Sequence, residues 1–275
     1  MLGYKPRSYA IQSILKAIRV LRGFTRERPE RGVTELSAEL KWPKAVVHKI
    51  LVTLEQGHLV QQDPLSRHYR LGPGIMELAG VFLSEEPLTR EGTPLLKELA
   101  RNTGHTAALA VLDALEVLYV HVIEGTAALK TTARAGDRRP AHATASGKVL
   151  LADLSSDVLD QLLGRNVMAA LTPQTIVDPG RLREQLIAVR ASGYALNLEE
   201  RIAGMVGVAA PVRDHNGKTI AALSIAFPRH LHGETAVEDG ITKVVAMANT
   251  LSLRLGAPPE RLVPEPASAV SVLKK

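Results

Sequence analysis

Five residues behind a proline carry the densest concentration of nucleic-acid chemistry in this chain: Lys44, Ala45, Val46, His48 and Lys49, following Pro43. Lys44 and Lys49 can neutralise phosphates, and His48 can donate to a base edge or a phosphate. Ala45 and Val46 offer only apolar contact, which in a DNA groove means thymine methyls. Further on, Arg67, His68 and Arg70 place three more cationic or titratable side chains within four positions, suited to the DNA backbone or minor groove. Thr34 adds a hydroxyl at the head of the preceding apolar segment.

Other constellations are weaker. Ser146-Gly147-Lys148 ends like a phosphate-binding loop, but the leading glycine is absent and Val149 stands where a hydroxyl is needed. His230 and His232 could ligate a metal, yet the sequence offers no third ligand, so no metal is expected. Glu199 and Glu200 are adjacent, and neighbours on a strand or turn point apart, which argues against a paired acid and base. Ser146 and His142 are the nearest thing to a nucleophile and its base. There is no His-Glu-x-x-His, Gly-x-Ser-x-Gly or dinucleotide fingerprint, and neither catalysis nor a cofactor is predicted.

The elements that must position these residues follow from pattern and punctuation. With 275 residues the chain has length for two domains. Its 45% apolar and 23% charged content is that of a globular protein. Zero cysteines exclude a disulfide framework, an iron–sulfur cluster and a thiolate zinc site. The N-terminus lacks a signal-peptide stretch, and the tract from Ala107 to Ile123 is interrupted by Asp113, Glu116 and His121, so no membrane association and a cytoplasmic setting are expected. The charge is divided unevenly. Residues 1–72 hold 13 Lys+Arg against 6 Asp+Glu, while the remainder holds 21 against 22, so the whole positive excess lies in the first quarter. Such a block suits a polyanion.

Ile11, Ile14, Leu15, Ile18 and Leu21 predict an amphipathic helix from about Tyr9, capped by Ser8. Arg26 to Gly32 reads as a loop. Thr34 then caps a second helix carrying Leu36 and Leu40, and a third runs from Pro43 to Gln56 with Gly57 behind it. Two short β-capable segments around Asp63-Pro64-Leu65-Ser66 make a hairpin, completing a winged helix-turn-helix over 9–72. A linker helix is expected over 73–86. A mixed α/β sensor-like domain follows over 87–256, with strands at 105–112, 117–123, 129–133, 194–197, 207–213 and 219–226, and a proline-rich tail over 257–275 is read as disordered. The fold class is α+β.

Thr34-Glu35-Leu36-Ser37, Pro43 through Glu55, Gly57-His58-Leu59-Val60 and Tyr69-Arg70-Leu71-Gly72 resemble the IclR family of bacterial transcriptional regulators. The resemblance continues through Ala141-His142-Ala143-Thr144-Ala145-Ser146-Gly147-Lys148, Leu171-Thr172-Pro173-Gln174-Thr175, Gly193-Tyr194-Ala195 and Glu199-Glu200 to Ala209-Ala210-Pro211-Val212. It implies a GAF-like effector domain, binding to double-stranded operator DNA as a dimer or dimer of dimers, and control by a small-molecule effector. It also implies a pocket formed by the amides of Ala145 and Ser146 with Asn197, Gly207, Ser224 and Ala226. The amides have a physical rationale, since a helix opening near Ser146 presents free N–H groups to a carboxylate. Two departures stand in the reading head: Lys41 replaces the family's usual turn glycine, and Ala45-Val46 replaces its usual Ser-Thr pair. In the pocket, Asn197, Gly207 and Ala226 replace more polar residues. That implies a roomier, less polar site than in relatives that bind two- or three-carbon keto acids, for an organic acid or an aromatic or amino-acid-related compound. An enzyme carrying a DNA-binding head is the rival reading.

Overall fold

The computed structural model describes residues 10–85, 87–127, 133–164, 167–229 and 234–264. The chain forms two compact units, Met1–Glu86 and Pro87–Lys275.

The first unit contains α1 (Gln12–Leu21), β1 (Glu30–Arg31), α2 (Val33–Leu40), α3 (Lys44–Gln56), β2 (Val60–Gln62), β3 (Tyr69–Leu71) and α4 (Gly74–Glu85). Val20, Leu36, Val47, Leu51, Val60 and Tyr69 form its core, drawn from the apolar faces of α1 to α3 and the hairpin. The hairpin gains a third strand, in the order β1-β3-β2, because Glu30 and Arg31 pair with Arg70 and Tyr69 inside the segment expected to be a loop. Two caps differ from expectation. Helix α2 is capped by Gly32 rather than Thr34, because the Glu35 carboxylate accepts the Gly32 N–H at 3.1 Å and draws the start of the helix forward. Helix α1 opens at Gln12 behind Ile11 with no side-chain cap, and Ser8 lies outside the described residues.

In the second unit α5 (Pro87–Thr103) leads into a six-stranded antiparallel sheet of order β6-β5-β4-β9-β8-β7. The strands are β4 (Thr106–Asp113), β5 (Glu116–Ile123), β6 (Arg138–Pro140), β7 (Ala195–Leu198), β8 (Met205–Arg213) and β9 (Thr219–Pro228). Strand alternation sorts their side chains. Val206, Val208, Ala210 and Val212 of β8 and Leu223, Ile225 and Phe227 of β9 join α5 and α9 (Glu234–Arg254) in one core. Ala209, Ala222 and Ala195 face α6 (Ala145–Ala152), α7 (Ser156–Gly164) and α8 (Pro179–Ser192) in the other. The sheet is therefore a central layer between two helical layers, the mixed α/β architecture that the resemblance implies. Gly217, at φ +75, makes the turn between β8 and β9.

Two segments depart from expectation. The described sheet edge is β6; of the strand expected over 129–133, residues 129–132 lie outside the described ones, and Ala133 is in no strand. The tail does not begin at 257. Ala257 and Val263 are buried, and Asn249 on α9 exchanges two hydrogen bonds with the Val263 backbone at 2.8 and 3.0 Å, which holds the chain to 264 against the domain. The rest of the expected tail, 265–275, lies outside the described residues.

Candidate functional site

The turn between α2 and α3 sets how the reading helix is presented. Lys41 takes the left-handed conformation, φ 56 and ψ 41, as the position of the absent glycine requires. Ser37 clamps the turn: its carbonyl accepts the Trp42 N–H at 3.1 Å, and its hydroxyl donates to the Trp42 carbonyl at 2.6 Å. Lys16 on α1 sits 5.7 Å above the Trp42 ring, tying the turn to the first helix. Behind this brace, Val47 and Leu51 are fully buried while Lys44, Ala45, His48 and Lys49 are exposed and Val46 is half-buried. Thr34 is exposed in the first turn of α2, and Arg67 and Arg70 are exposed on the hairpin with His68 half-buried. Asp63 organises the hairpin tip by accepting from the Ser66 N–H, the Ser66 hydroxyl and the Leu65 N–H, and these bonds hold its carboxyl below the usual range.

The cations divide into two groups. Arg31 is buried and engaged by Glu39 at 2.6 Å and Glu35 at 3.4 Å, with a further bond to the Gly23 carbonyl. Among the described residues, no carboxylate pairs with Lys44, Lys49, Arg67 or Arg70 within ion-pair distance. The first group builds the domain, and the second is free to meet phosphate.

In the second unit all six residues expected in a pocket line one cavity, open to solvent. Register explains the assembly. Asn197 pairs with Gly207, Gly207 with Ala226, and Ala226 with Thr106, so one cross-strand row runs over β7, β8, β9 and β4. The adjacent row sets Ser224 beside Ala108. Small side chains along both rows leave the space between the sheet and the start of α6. Gly147 lets α6 approach: a Cβ there would lie 2.1 Å from the Ala141 carbonyl oxygen. The Thr144 hydroxyl caps α6 by accepting the Gly147 N–H at 3.0 Å.

The site differs from expectation in its polar groups. Asn197 is already occupied, with its amide donating to the Ala143 carbonyl at 2.6 Å and its oxygen accepting the Glu200 N–H at 2.9 Å. It ties β7 to the entry of α6. Ser224 donates to the Ala108 carbonyl at 3.4 Å, a long bond that a ligand can displace. Thr106, Tyr119, Arg201, Ile202 and Met205 also line the cavity and were not anticipated. Thr106 depends on strand register, and Arg201 sits on a loop with no periodic signal. The Tyr119 phenol faces the Ser146 hydroxyl, and burial pushes its pKa up.

The paired carboxylates are structural. Glu200 forms a buried ion pair with Lys148, whose ammonium also donates to the Leu196 carbonyl at 3.3 Å. Lys148 is therefore committed away from any phosphate. Thr172 and Thr175 donate to the Glu199 and Glu200 carbonyls at 2.8 and 2.6 Å, and Glu199 binds Arg229 at 2.5 Å. His142 bonds the Ala169 carbonyl at 3.1 Å through Nε2, while Ser146 faces Tyr119, so the two are not joined as base and nucleophile. His230 and His232 lie outside the described residues. No helix among the described residues is long and apolar enough to cross a membrane.

Comparison with known proteins finds a match in each unit. The family described as IclR helix-turn-helix domain matches residues 13–64, and that described as Bacterial transcriptional regulator IclR C-terminal matches residues 81–253. The chain is 36% identical over 216 residues to the HTH-type transcriptional regulator XynR of Escherichia coli, covering 78% of this chain and 86% of that one. It is 33% identical over 247 residues to KdgR of the same organism, covering 90% and 94%. Among solved structures, an IclR homologue from Microbacterium hydrocarbonoxydans complexed with 4-hydroxybenzoate is similar with a TM-score of 0.78 at 25% identity, covering 88% of this chain and 98% of that one. A winged helix-turn-helix with free cations, joined in one chain to a domain holding a small-molecule cavity, is thus found in a protein that belongs to the IclR family of ligand-responsive bacterial transcriptional regulators.

Proposed function

We propose that the chain reads operator DNA with Lys44, Ala45, Val46, His48 and Lys49 on α3, with Thr34 and the hairpin residues Arg67, His68 and Arg70 holding the backbone. The observation that supports this most is the contrast between the paired Arg31 and the unpaired, exposed cations of α3 and the hairpin. We also assign effector binding to this cavity, through Ala145, Ser146, Asn197, Gly207, Ser224 and Ala226, for an organic acid or amino-acid-related compound. The Microbacterium relative holds 4-hydroxybenzoate, which makes that compound the first to try. The cavity binds its ligand without turning it over, a reading supported by the separation of His142 from Ser146.

A cytoplasmic setting and a working unit of two or four copies complete the proposal. Helix α1 exposes Ile14, Leu15 and Ile18, and α4 exposes Met76, Leu78 and Val81, apolar rows that a second copy would cover. Sedimentation should show a dimer or larger, and a monomer at micromolar concentration would remove the pairing.

An operator selected from random duplex DNA provides the main test. Lys44→Ala and Arg70→Ala should each weaken binding to all sequences and reduce the log–log salt slope by about one. An unchanged slope in both removes them from the phosphate contacts. His48→Ala should instead change the preference among operator variants.

A further inference from the structure

The polar groups around the cavity differ in how far they are already used. Thr144 caps α6, Asn197 spans two backbone groups, and Ser224 has the Ala108 carbonyl. Two groups remain. The Thr106 hydroxyl lines the cavity on a residue only 4% exposed and, among the described residues, has no hydrogen-bond partner. The Arg201 guanidinium is half-buried in the cavity wall and is engaged by no ion pair or hydrogen bond among the described residues. Asp137, the carboxylate that acts on it through space, is committed to Arg139 at 2.9 Å. Burial and the like charge of Arg139 push the Arg201 pKa down and outweigh the opposing pull of Tyr119 and Asp137.

The loop that carries Arg201 is fixed around it. Glu199 is held by the Gly204 N–H and by Arg229, and Glu200 by Lys148, Asn197 and Thr175. A guanidinium mounted on a pinned loop loses little freedom when it binds a carboxylate, and its planar fork suits that partner. No Asp or Glu is among the described residues lining the cavity. Ala108, Ala133, Ile202 and Met205 give the wall an apolar character. An ammonium group buried here would find no compensating charge.

We propose that Arg201 is the anion-recognising residue of this cavity. Its ligand is an organic acid with an apolar body and no ammonium group, carrying its carboxylate at the Arg201 end and a second oxygen for Thr106. This rests on the cavity being the effector site and narrows its ligand class, setting zwitterionic amino acids aside.

The test uses benzoate, benzamide and benzylamine as probes, added without DNA to the full-length protein. The Arg201 Nε–H resonance is assigned by its disappearance in Arg201→Gln. Benzoate should shift that resonance saturably, benzamide should bind at least tenfold more weakly, and benzylamine should not bind. Arg201→Gln should lose about ten- to a hundredfold in benzoate affinity with an otherwise native amide spectrum. If that variant does not fold, Arg201→Lys serves in its place and should weaken benzoate binding by losing the fork. An unmoved Arg201 resonance overturns the proposal. So does equal binding of the three probes, or unchanged benzoate affinity in the folded variant. Benzoate binding at Arg201 by a protein whose operator affinity responds to no cavity ligand would instead overturn the effector reading and leave the anion site standing.

Discussion

Lys148 has no exposed surface and Glu200 almost none, so each depends on the other for its charge. Removing one partner from such a pair costs about 3–5 kcal/mol, whereas replacing both with apolar side chains is often neutral. Glu200→Ala should therefore destabilise the protein by that amount in urea denaturation, and the double variant Lys148→Met, Glu200→Leu should recover most of it. Equal loss in single and double variants would mean that the pair positions the 199–204 loop by more than its charges. His142 gives a second expectation. Burial pushes its pKa below the ordinary 6.5, so the unfolded chain takes up a proton that the folded one refuses. Stability should fall as pH drops from about 6.5 toward the lower folded value, and His142→Gln should flatten that slope in melts between about pH 7 and 5. His121, also shifted down by burial, will keep part of it.

Elements whose apolar period is strong were legible in the sequence to within a few residues. The third helix, expected over 43–56, runs from Lys44 to Gln56, and β9, expected over 219–226, runs from Thr219 to Pro228. What escaped notice depends on partners distant in sequence. Strand β1 is two residues long and exists because Arg31 and Glu30 meet β3, a pairing that carries no local signal. The segment from Ala257 to Pro264 looked disordered by its prolines, but two hydrogen bonds from Asn249 and the burial of Val263 decide otherwise. The cavity was legible in six positions through family resemblance, while Thr106 and Arg201 required the sheet register and the loop. The helix–turn–helix element yields its own prediction. Lys41 holds a left-handed conformation that costs an L-residue about 1–2 kcal/mol and glycine almost nothing. Glycine also loses more chain entropy on folding, so Lys41→Gly should stabilise the protein by only about 0.5–1 kcal/mol. An unchanged or lower melting temperature would show that the lysine side chain makes stabilising contacts of its own.

Across the whole chain, the larger share of the net positive charge and the residues proposed to read DNA lie in one unit and the proposed effector cavity in the other, so binding and response should be separable by mutation. An effector must favour one DNA-binding state of the protein by differential affinity, since equal affinity for both states shifts nothing. Gly207 is the position at which to test this. A Cβ there would meet Asn197 and Ala145 Cβ atoms at 3.5 and 3.6 Å, ordinary contact distances, so a first carbon is accommodated and further atoms enter the cavity. Gly207→Phe should abolish the change in operator affinity that an effector produces. Ser224→Ala removes one hydrogen-bonding group, worth about 0.5–1.5 kcal/mol, and should raise the effector concentration needed by roughly two- to tenfold. In both variants operator affinity without effector should stay within about twofold of the parent, with circular dichroism confirming the fold. Wild-type response in both folded variants would place the effector elsewhere. Loss of effector-free DNA binding in both would mean that an empty, correctly shaped cavity is itself needed to hold the DNA-binding state.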